Sequence, residues 1–114
     1  MIRPRDQRLS GFTDEIITGD GKMYVTLNYD QEGLREIFIV IGRCGGTIAS
    51  MAEGLGRQIS MLLQHRIPIE KIAHHLIGIR SVNASPDQQY LSIPDALGQV
   101  LKRAPLVWPE VSNS

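Results

Sequence analysis

The residues whose types and spacing could do chemistry lie where a predicted strand runs into a predicted helix. An apolar run, residues 37–41, ends in the glycine loop 42–46, and a helix-like pattern follows at once. This arrangement points backbone N–H groups and the positive end of a helix dipole at one spot, where an anion can sit. An arginine in the loop could pair with that anion. The candidate ligand-binding residues are Arg43, Gly45, Gly46 and Thr47. Alternatively, the glycines only permit a tight turn between strand and helix.

A second candidate cation, Arg57, lies on a flank of the predicted first helix together with Ser50 and Gly54. Small residues there allow close approach of another helix, a second subunit or a flat ligand, which Arg57 could reach. The alternative is packing, with Arg57 in a surface ion pair with Glu53 four residues earlier. We favour packing for the glycines, because a glycine inside a helix costs about 1 kcal/mol and needs a steric reason. Arg57 remains a candidate ligand-binding residue.

Ser92 and Asp95 begin a third predicted helix and are best explained as its caps, although they could also face a ligand. The histidines predict no metal site, because the adjacent His74 and His75 point in different directions and His65 has no partner at helical spacing. No serine, histidine and carboxylate pattern marks a nucleophile triad, so we expect no catalytic residue. A nucleotide hydrolase is the least favoured interpretation, since only Asp20, Glu53 or Asp95 could serve as its general base.

The composition predicts one globular domain over residues 1–114, with a basic N-terminal arm over 1–11 and an extended tail over 105–114. The 114 residues are 42% hydrophobic, enough for a single core. Twelve basic and twelve acidic side chains cancel, which argues against nucleic acid or an anionic membrane as a partner. No apolar run is long enough for a membrane span and no signal-peptide core is present. The single cysteine, Cys44, excludes an internal disulfide and fits the cytoplasm.

Hydrophobic periodicity predicts three strands followed by three helices. The strands cover Phe12–Gly19, Met23–Asn28 and Leu34–Ile41, with turn signals between them. The first helix has Thr47 or Ser50 as its N-cap, the second runs from Pro68 through Leu76, and the third follows Ser92 through Arg103. We therefore predict an α+β fold, a three-stranded antiparallel sheet (β-β-β) followed by three helices packed on one face.

Four short motifs resemble those of one known family. Residues 18–28 resemble T-G-C-G-x-x-Y-V-T-I-N, and residues 42–46 resemble G-K-S-G-G. Residues 53–60 resemble E-A-L-G-R-L-I-S, and residues 92–97 resemble S-C-P-D-A-I. Together, in this order over residues 12–104, they resemble the TSCPD domain. That domain forms the C-terminal part of many adenosylcobalamin-dependent ribonucleotide reductases and also stands alone in small bacterial and phage proteins.

The departures from the family pattern concern its cysteines. Where the pattern tends to have cysteine, this chain has Asp20, Thr47, Ser81 and Ile93. Four such thiolates could form a zinc or redox site in a relative. Their absence here predicts no metal, no cofactor and no disulfide exchange. The resemblance also implies no reductase activity, because the catalytic barrel of a reductase cannot fit in this length.

These observations lead to the hypothesis of a non-enzymatic binding protein. We expect it to hold a phosphate-bearing small molecule, a nucleotide, as a homo-oligomer that buries the uncovered face of its sheet against a copy. Relatives in phages make sequestration of a signalling nucleotide, to counter host defence, one form of this hypothesis. The alternative is an accessory or regulatory protein-interaction module that docks on a ribonucleotide reductase subunit. Trp108 could attach the tail to its own domain or to a neighbouring subunit.

Overall fold

The structure is a computed structural model that describes residues 9–42 and 46–108. Most of the predicted basic arm, the candidate residues Arg43 and Gly45, and the end of the predicted tail lie outside the described residues. Within the described part, no helix combines the length and the apolar character needed to cross a membrane.

Three antiparallel strands form one sheet in the order β1-β2-β3, which confirms the predicted topology. They are β1 (Ser10–Thr18), β2 (Gly21–Asp30) and β3 (Gly33–Ile41). The predicted strands differ from these bounds by one or two residues at their ends. Gly21 and Gly33 begin the second and third strands with φ of 137° and 140°, a backbone region that favours glycine. These glycines let each hairpin reverse directly into the next strand.

Side chains alternate between the two faces of the sheet. Met23, Val25 and Leu27 of β2 are at most 1% exposed and point to the inner face, which carries the core. The outer face carries exposed apolar side chains from all three strands, which are Ile17, Tyr24, Phe38 and Val40. The helices therefore cover one face of the sheet and leave the other uncovered, as the sequence predicts.

The three helices are α1 (Gly46–Gln64), α2 (Ile69–His74) and α3 (Ile93–Arg103). Two predicted boundaries are wrong. Because α1 already includes Gly46, Thr47 and Ser50 lie inside the helix and neither is its N-cap. Helix α2 ends at His74 rather than Leu76, because the chain tightens there into a turn that closes at Gly78, whose φ is 96°.

Helix α3 completes the core. Its apolar stripe of Ala96, Leu97, Val100 and Leu101 is at most 1% exposed. These side chains share one hydrophobic cluster with the inner face of the sheet and with Ile59 and Leu63 of α1. Burial of this stripe, at roughly 25 cal/mol per Å² of apolar surface, is what fixes α3 against the sheet.

The tail packs against its own domain at Trp108. The Trp108 ring lies 6.0 Å from the Phe12 ring and 5.7 Å from the Tyr29 ring, centroid to centroid. The Tyr29 hydroxyl donates to the Pro105 carbonyl at 2.8 Å. Burial raises the pKa of Tyr29 to about 12, so the hydroxyl stays protonated as this hydrogen bond requires.

Candidate functional site

The first turn of α3 is closed by Ser92, which is 3% exposed. Its hydroxyl accepts a hydrogen bond from the Asp95 backbone N–H at 3.0 Å, which makes it the N-cap that the sequence predicts. The same hydroxyl donates to the Ile79 carbonyl at 2.6 Å. Ser92 thus ties the start of α3 to the chain that follows α2.

Asp95 is buried even more completely, at 1% exposed. One carboxylate oxygen accepts from the Gly78 N–H at 2.9 Å. The other accepts from the Leu91 N–H at 2.9 Å and from the Gln99 side-chain amide at 3.0 Å. With three donors and the positive end of the α3 dipole around it, the charge is stabilised from within the fold. Capping accounts for the contacts of both predicted residues, and both face the chain itself.

The chain that these two residues hold, the 77–82 segment, carries three exposed apolar side chains. Ile77 is 37% exposed, Ile79 is 45% exposed and Val82 is 99% exposed. Exposed apolar side chains that form a contiguous patch mark sites of contact with a partner. The segment is therefore a candidate docking surface that sequence reasoning missed.

A polar cluster fixes the far end of the 77–82 segment. One carboxylate oxygen of Asp20 accepts from the Ser81 hydroxyl and from the Asn83 side-chain amide, both at 2.8 Å. Asp20 and Ser81 are two of the positions at which the family pattern has cysteine, and here they are joined by a hydrogen bond. Among the described residues, no group of three or more His, Cys, Asp or Glu side chains could hold a metal ion.

The predicted anion site at the start of α1 is exposed, unlike the buried start of α3. Gly46 and Thr47 are exposed, and the first turn contains no acidic residue. The Ser50 hydroxyl donates to the Thr47 carbonyl at 3.0 Å, so it does not cap the first-turn N–H groups. The positive end of the α1 dipole lies at this first turn.

Arg57 lies on α1 but is not close to that first turn. Eleven residues separate it from Gly46, a rise of roughly 16 Å along the helix. Its guanidinium is 3.6 Å from a Glu53 carboxylate oxygen, with the two side chains 77% and 68% exposed. Such surface pairs contribute little to stability. A ligand contacting both the first turn and Arg57 must therefore be long.

A groove of about 420 Å³ runs between β3 and α1, lined among others by Phe38, Val40, Arg57 and Met61. Gly56 allows the close approach of helix and strand, because a Cβ there would stand 3.1 Å from the Ile39 side chain. The packing role expected for the glycines is thus confirmed for Gly56. Gly54 has no described neighbour within 4 Å of where its Cβ would stand.

The predicted site residues that the structure describes lie in three different surroundings. Ser92 and Asp95 lie inside the fold at the start of α3, Gly46 and Thr47 lie at the exposed start of α1, and Arg57 lies on the flank of α1. The sequence carries one signal for the missed cluster at Asp20. Asp20 and Ser81 both occupy positions at which this chain departs from the family pattern. Only the fold shows that they touch.

Comparison with known proteins identifies the family. The sequence profile of the TSCPD domain matches residues 2–105. A vitamin B12-dependent ribonucleotide reductase from Streptantibioticus cattleyicolor is 30% identical over an alignment of 83 residues, which covers 68% of this chain and 14% of the reductase. Enzymes of the same name from Streptomyces clavuligerus and Streptomyces coelicolor (strain ATCC BAA-471 / A3(2) / M145) match at the same identity over 9% of their length.

These curated relatives are far longer proteins, and the matched region is a small part of each. No solved structure matches this chain significantly. The profile match covers most of the chain, including all four motifs and the Ser92 and Asp95 caps. The chain belongs to the TSCPD domain family.

Proposed function

We propose that this protein is a non-enzymatic interaction module of the ribonucleotide reductase system. It docks on a larger protein of that system through the 77–82 segment, in the cytoplasm. The observation that carries this proposal is the exposure of Ile79 and Val82 on a segment whose backbone is hydrogen-bonded to the buried side chains of Ser92 and Asp95.

The rigidity of the segment matters for binding. The Ile79 carbonyl and the Gly78 N–H are fixed by Ser92 and Asp95, and Ser81 is fixed by Asp20. A surface that is already ordered loses little conformational entropy when a partner covers it. Apolar side chains on such a surface have the properties of anchors that dominate an interface.

Family membership supports the same proposal. The residues that hold the 77–82 segment belong to the S-x-P-D motif at the start of α3. In the curated relatives the matched region accounts for 9 to 14% of a longer reductase. A surface presented by motif residues is a reasonable place for contact between this domain and the remainder of such an enzyme.

Biolayer interferometry with the immobilised chain and a B12-dependent ribonucleotide reductase tests the proposal. We expect Ile79→Asp and Val82→Asp each to weaken binding by about tenfold or more, because a charge would be buried at the contact. Leu106→Asp is the matched control, since Leu106 is also apolar and 70% exposed but lies in the tail. Absence of binding by the unmodified chain, or equal loss in the control, contradicts the proposal.

A second candidate function is the holding of a phosphate-bearing ligand, a nucleotide, at the start of α1. It is favoured by the exposure of Gly46 and Thr47 in a first turn without acidic residues. Arg43, Gly45 and Arg57 would complete the site, and sequestration of a signalling nucleotide by a phage protein is the form that needs no catalytic residue.

Thermal denaturation against a panel of mono-, di- and cyclic nucleotides tests this second candidate. A bound nucleotide raises the melting temperature by linkage, and Arg43→Ala should abolish the rise. Recovery of the nucleotide unchanged after denaturation distinguishes sequestration from hydrolysis. No rise at millimolar nucleotide contradicts it.

A further inference from the structure

The outer face of the sheet carries four large apolar side chains that the helices leave exposed. Ile17, Tyr24, Phe38 and Val40 are 56%, 40%, 52% and 62% exposed, in that order. Tyr24 and Val40 are direct cross-strand partners, and Phe38 lies two residues before Val40 on the same face. Ile17 pairs with Lys22, two residues before Tyr24. These side chains therefore form one patch across all three strands.

We propose that this outer face packs against the same face of a second copy of the chain, in a two-fold symmetric homodimer. In such an interface the same patch serves on both copies, so an apolar centre meets an apolar centre. This inference goes beyond the proposed function, because it uses a surface separate from the 77–82 segment.

The dimensions of the face fit a stable dimer. Three strands about 4.8 Å apart and about eight residues long give an area of roughly 15 by 27 Å. The flank of α1 beside β3 continues this surface, because Met61 lines the same groove as Phe38 and Val40. With about 10 Å of helix width added, each copy buries roughly 650 Å² and the pair ~1,300 Å². Stable interfaces begin at about 1,200 Å².

The charges around the patch suit a second copy. Glu15 and Lys22 lie 4.0 Å apart on one side, with about half of each side chain exposed. Glu53 and Arg57 form a second pair beyond the groove. Each border therefore carries one charge of each sign, and the whole chain has a formal net charge of zero. Two copies can approach without net repulsion, and a border charge can meet its opposite on the other copy.

Contact between faces is favoured over extension of the sheet at β3. The Ser60 hydroxyl of α1 accepts from the Ile37 N–H at 3.0 Å and donates to the Ile37 carbonyl at 3.1 Å. These are the outward-pointing groups that a strand from another copy would need. Because α1 occupies them, a second copy meets the open face more readily than this edge.

Sedimentation equilibrium of the full chain tests the proposal. We expect a dimer at about 100 µM, and we expect Val40→Lys and Tyr24→Lys to weaken dimerisation by at least about tenfold each, because a charge enters the apolar centre. Val82→Lys is the matched control and should leave the dimer intact. A monomeric unmodified chain overturns the proposal, as does a dimer that survives Val40→Lys but not Val82→Lys.

Crosslinking supplies a second measurement that does not depend on a destabilised variant. Tyr24 lies on the middle strand, so in a two-fold pairing of faces it approaches its own copy. In a Cys44→Ser background, Tyr24→Cys should form an intermolecular disulfide on mild oxidation, and Val82→Cys should not. Circular dichroism checks the fold of both variants. Equal crosslinking of the two overturns the proposal.

Discussion

The first turns of α3 and α1 both carry predicted ligand-binding residues, but these residues have opposite surroundings. At α3, Ser92 and Asp95 are buried and hydrogen-bonded to the chain itself. At α1, Gly46 and Thr47 are exposed and no acidic residue neutralises the helix dipole. The sequence places candidate ligand-binding residues at both starts, with glycines, Thr47 and Arg43 before or in α1 and Ser92 and Asp95 at α3.

The difference shows that a helix start can be used in two ways. Where side chains from the same chain supply the negative charge and the acceptors, the helix start stabilises the fold and is closed to a ligand. The TSCPD motif belongs to this kind. The second candidate function proposes the other use for the start of α1, the binding of an external anion.

Asp95→Ala should have the largest effect on stability. It leaves the Gly78 and Leu91 N–H groups buried without acceptors, and the lost stability should be about 3 kcal/mol or more. Urea unfolding followed by circular dichroism measures it. Asp95→Asn keeps the shape and one acceptor oxygen, so its loss should be smaller. A decrease of less than about 1 kcal/mol in the free energy of unfolding of Asp95→Ala would contradict a structural role for the motif.

Tyr29 serves as a reference for the two helix starts, because it is a buried polar group that lies at neither of them. Its pKa is raised by burial from 10.0 to about 12, so the fold favours the protonated hydroxyl. The associated stabilisation is complete below pH 10 and is lost as the pH rises toward 12, by about 2 to 3 kcal/mol. Urea unfolding at several pH values measures this loss, and Tyr29→Phe should not show it. Parallel pH profiles for the two chains would contradict the raised pKa.

Ser92→Ala and Ser50→Ala compare the two helix starts directly. Loss of the Ser92 hydroxyl removes the cap of α3 and the donor to the Ile79 carbonyl, and should reduce the free energy of unfolding by about 1 to 2 kcal/mol. Ser50 is exposed and only donates to the Thr47 carbonyl, so Ser50→Ala should change it by less than about 0.5 kcal/mol. Urea midpoints report both. Equal losses of unfolding free energy in the two variants would contradict the proposed difference between the two helix starts.

Arg57→Ala should have the smallest effect, less than about 0.5 kcal/mol, because its ion pair with Glu53 is exposed on both sides. The same variant is informative for binding. If a nucleotide raises the melting temperature of the unmodified chain, an unchanged rise in Arg57→Ala would restrict the site to the loop and first turn. A loss of stability above 1 kcal/mol, seen by thermal denaturation, would reveal a packing role instead.

Much of the fold follows from local signals in the sequence. The alternating side chains of β2 and the Ser92–Asp95 cap are visible in short stretches of sequence. The strand order and the start of α3 can therefore be predicted. The end of α2 cannot be predicted in this way. The turn that closes it depends on a hydrogen bond from the Gly78 N–H to the carboxylate of Asp95, 17 residues further on. The apolar periodicity of the sequence, taken by itself, continues the helix to Leu76.

The candidate site is harder to predict, because its important contacts join distant residues. Asp20 and Ser81 are 61 residues apart, and nothing local to either indicates that they touch. A contact of this kind forms only in the tertiary fold.

Native-state hydrogen exchange tests the contrast between the two helix starts most directly. We expect the amides of Gly78, Leu91 and Asp95 to exchange only through large-scale unfolding, since each donates to a buried oxygen. The first-turn amides of α1, from Gly46 to Ala49, should exchange many times faster. Rapid exchange of the Gly78, Leu91 and Asp95 amides, at rates like those of the α1 first turn, would contradict the claim that Ser92 and Asp95 hold the fold together.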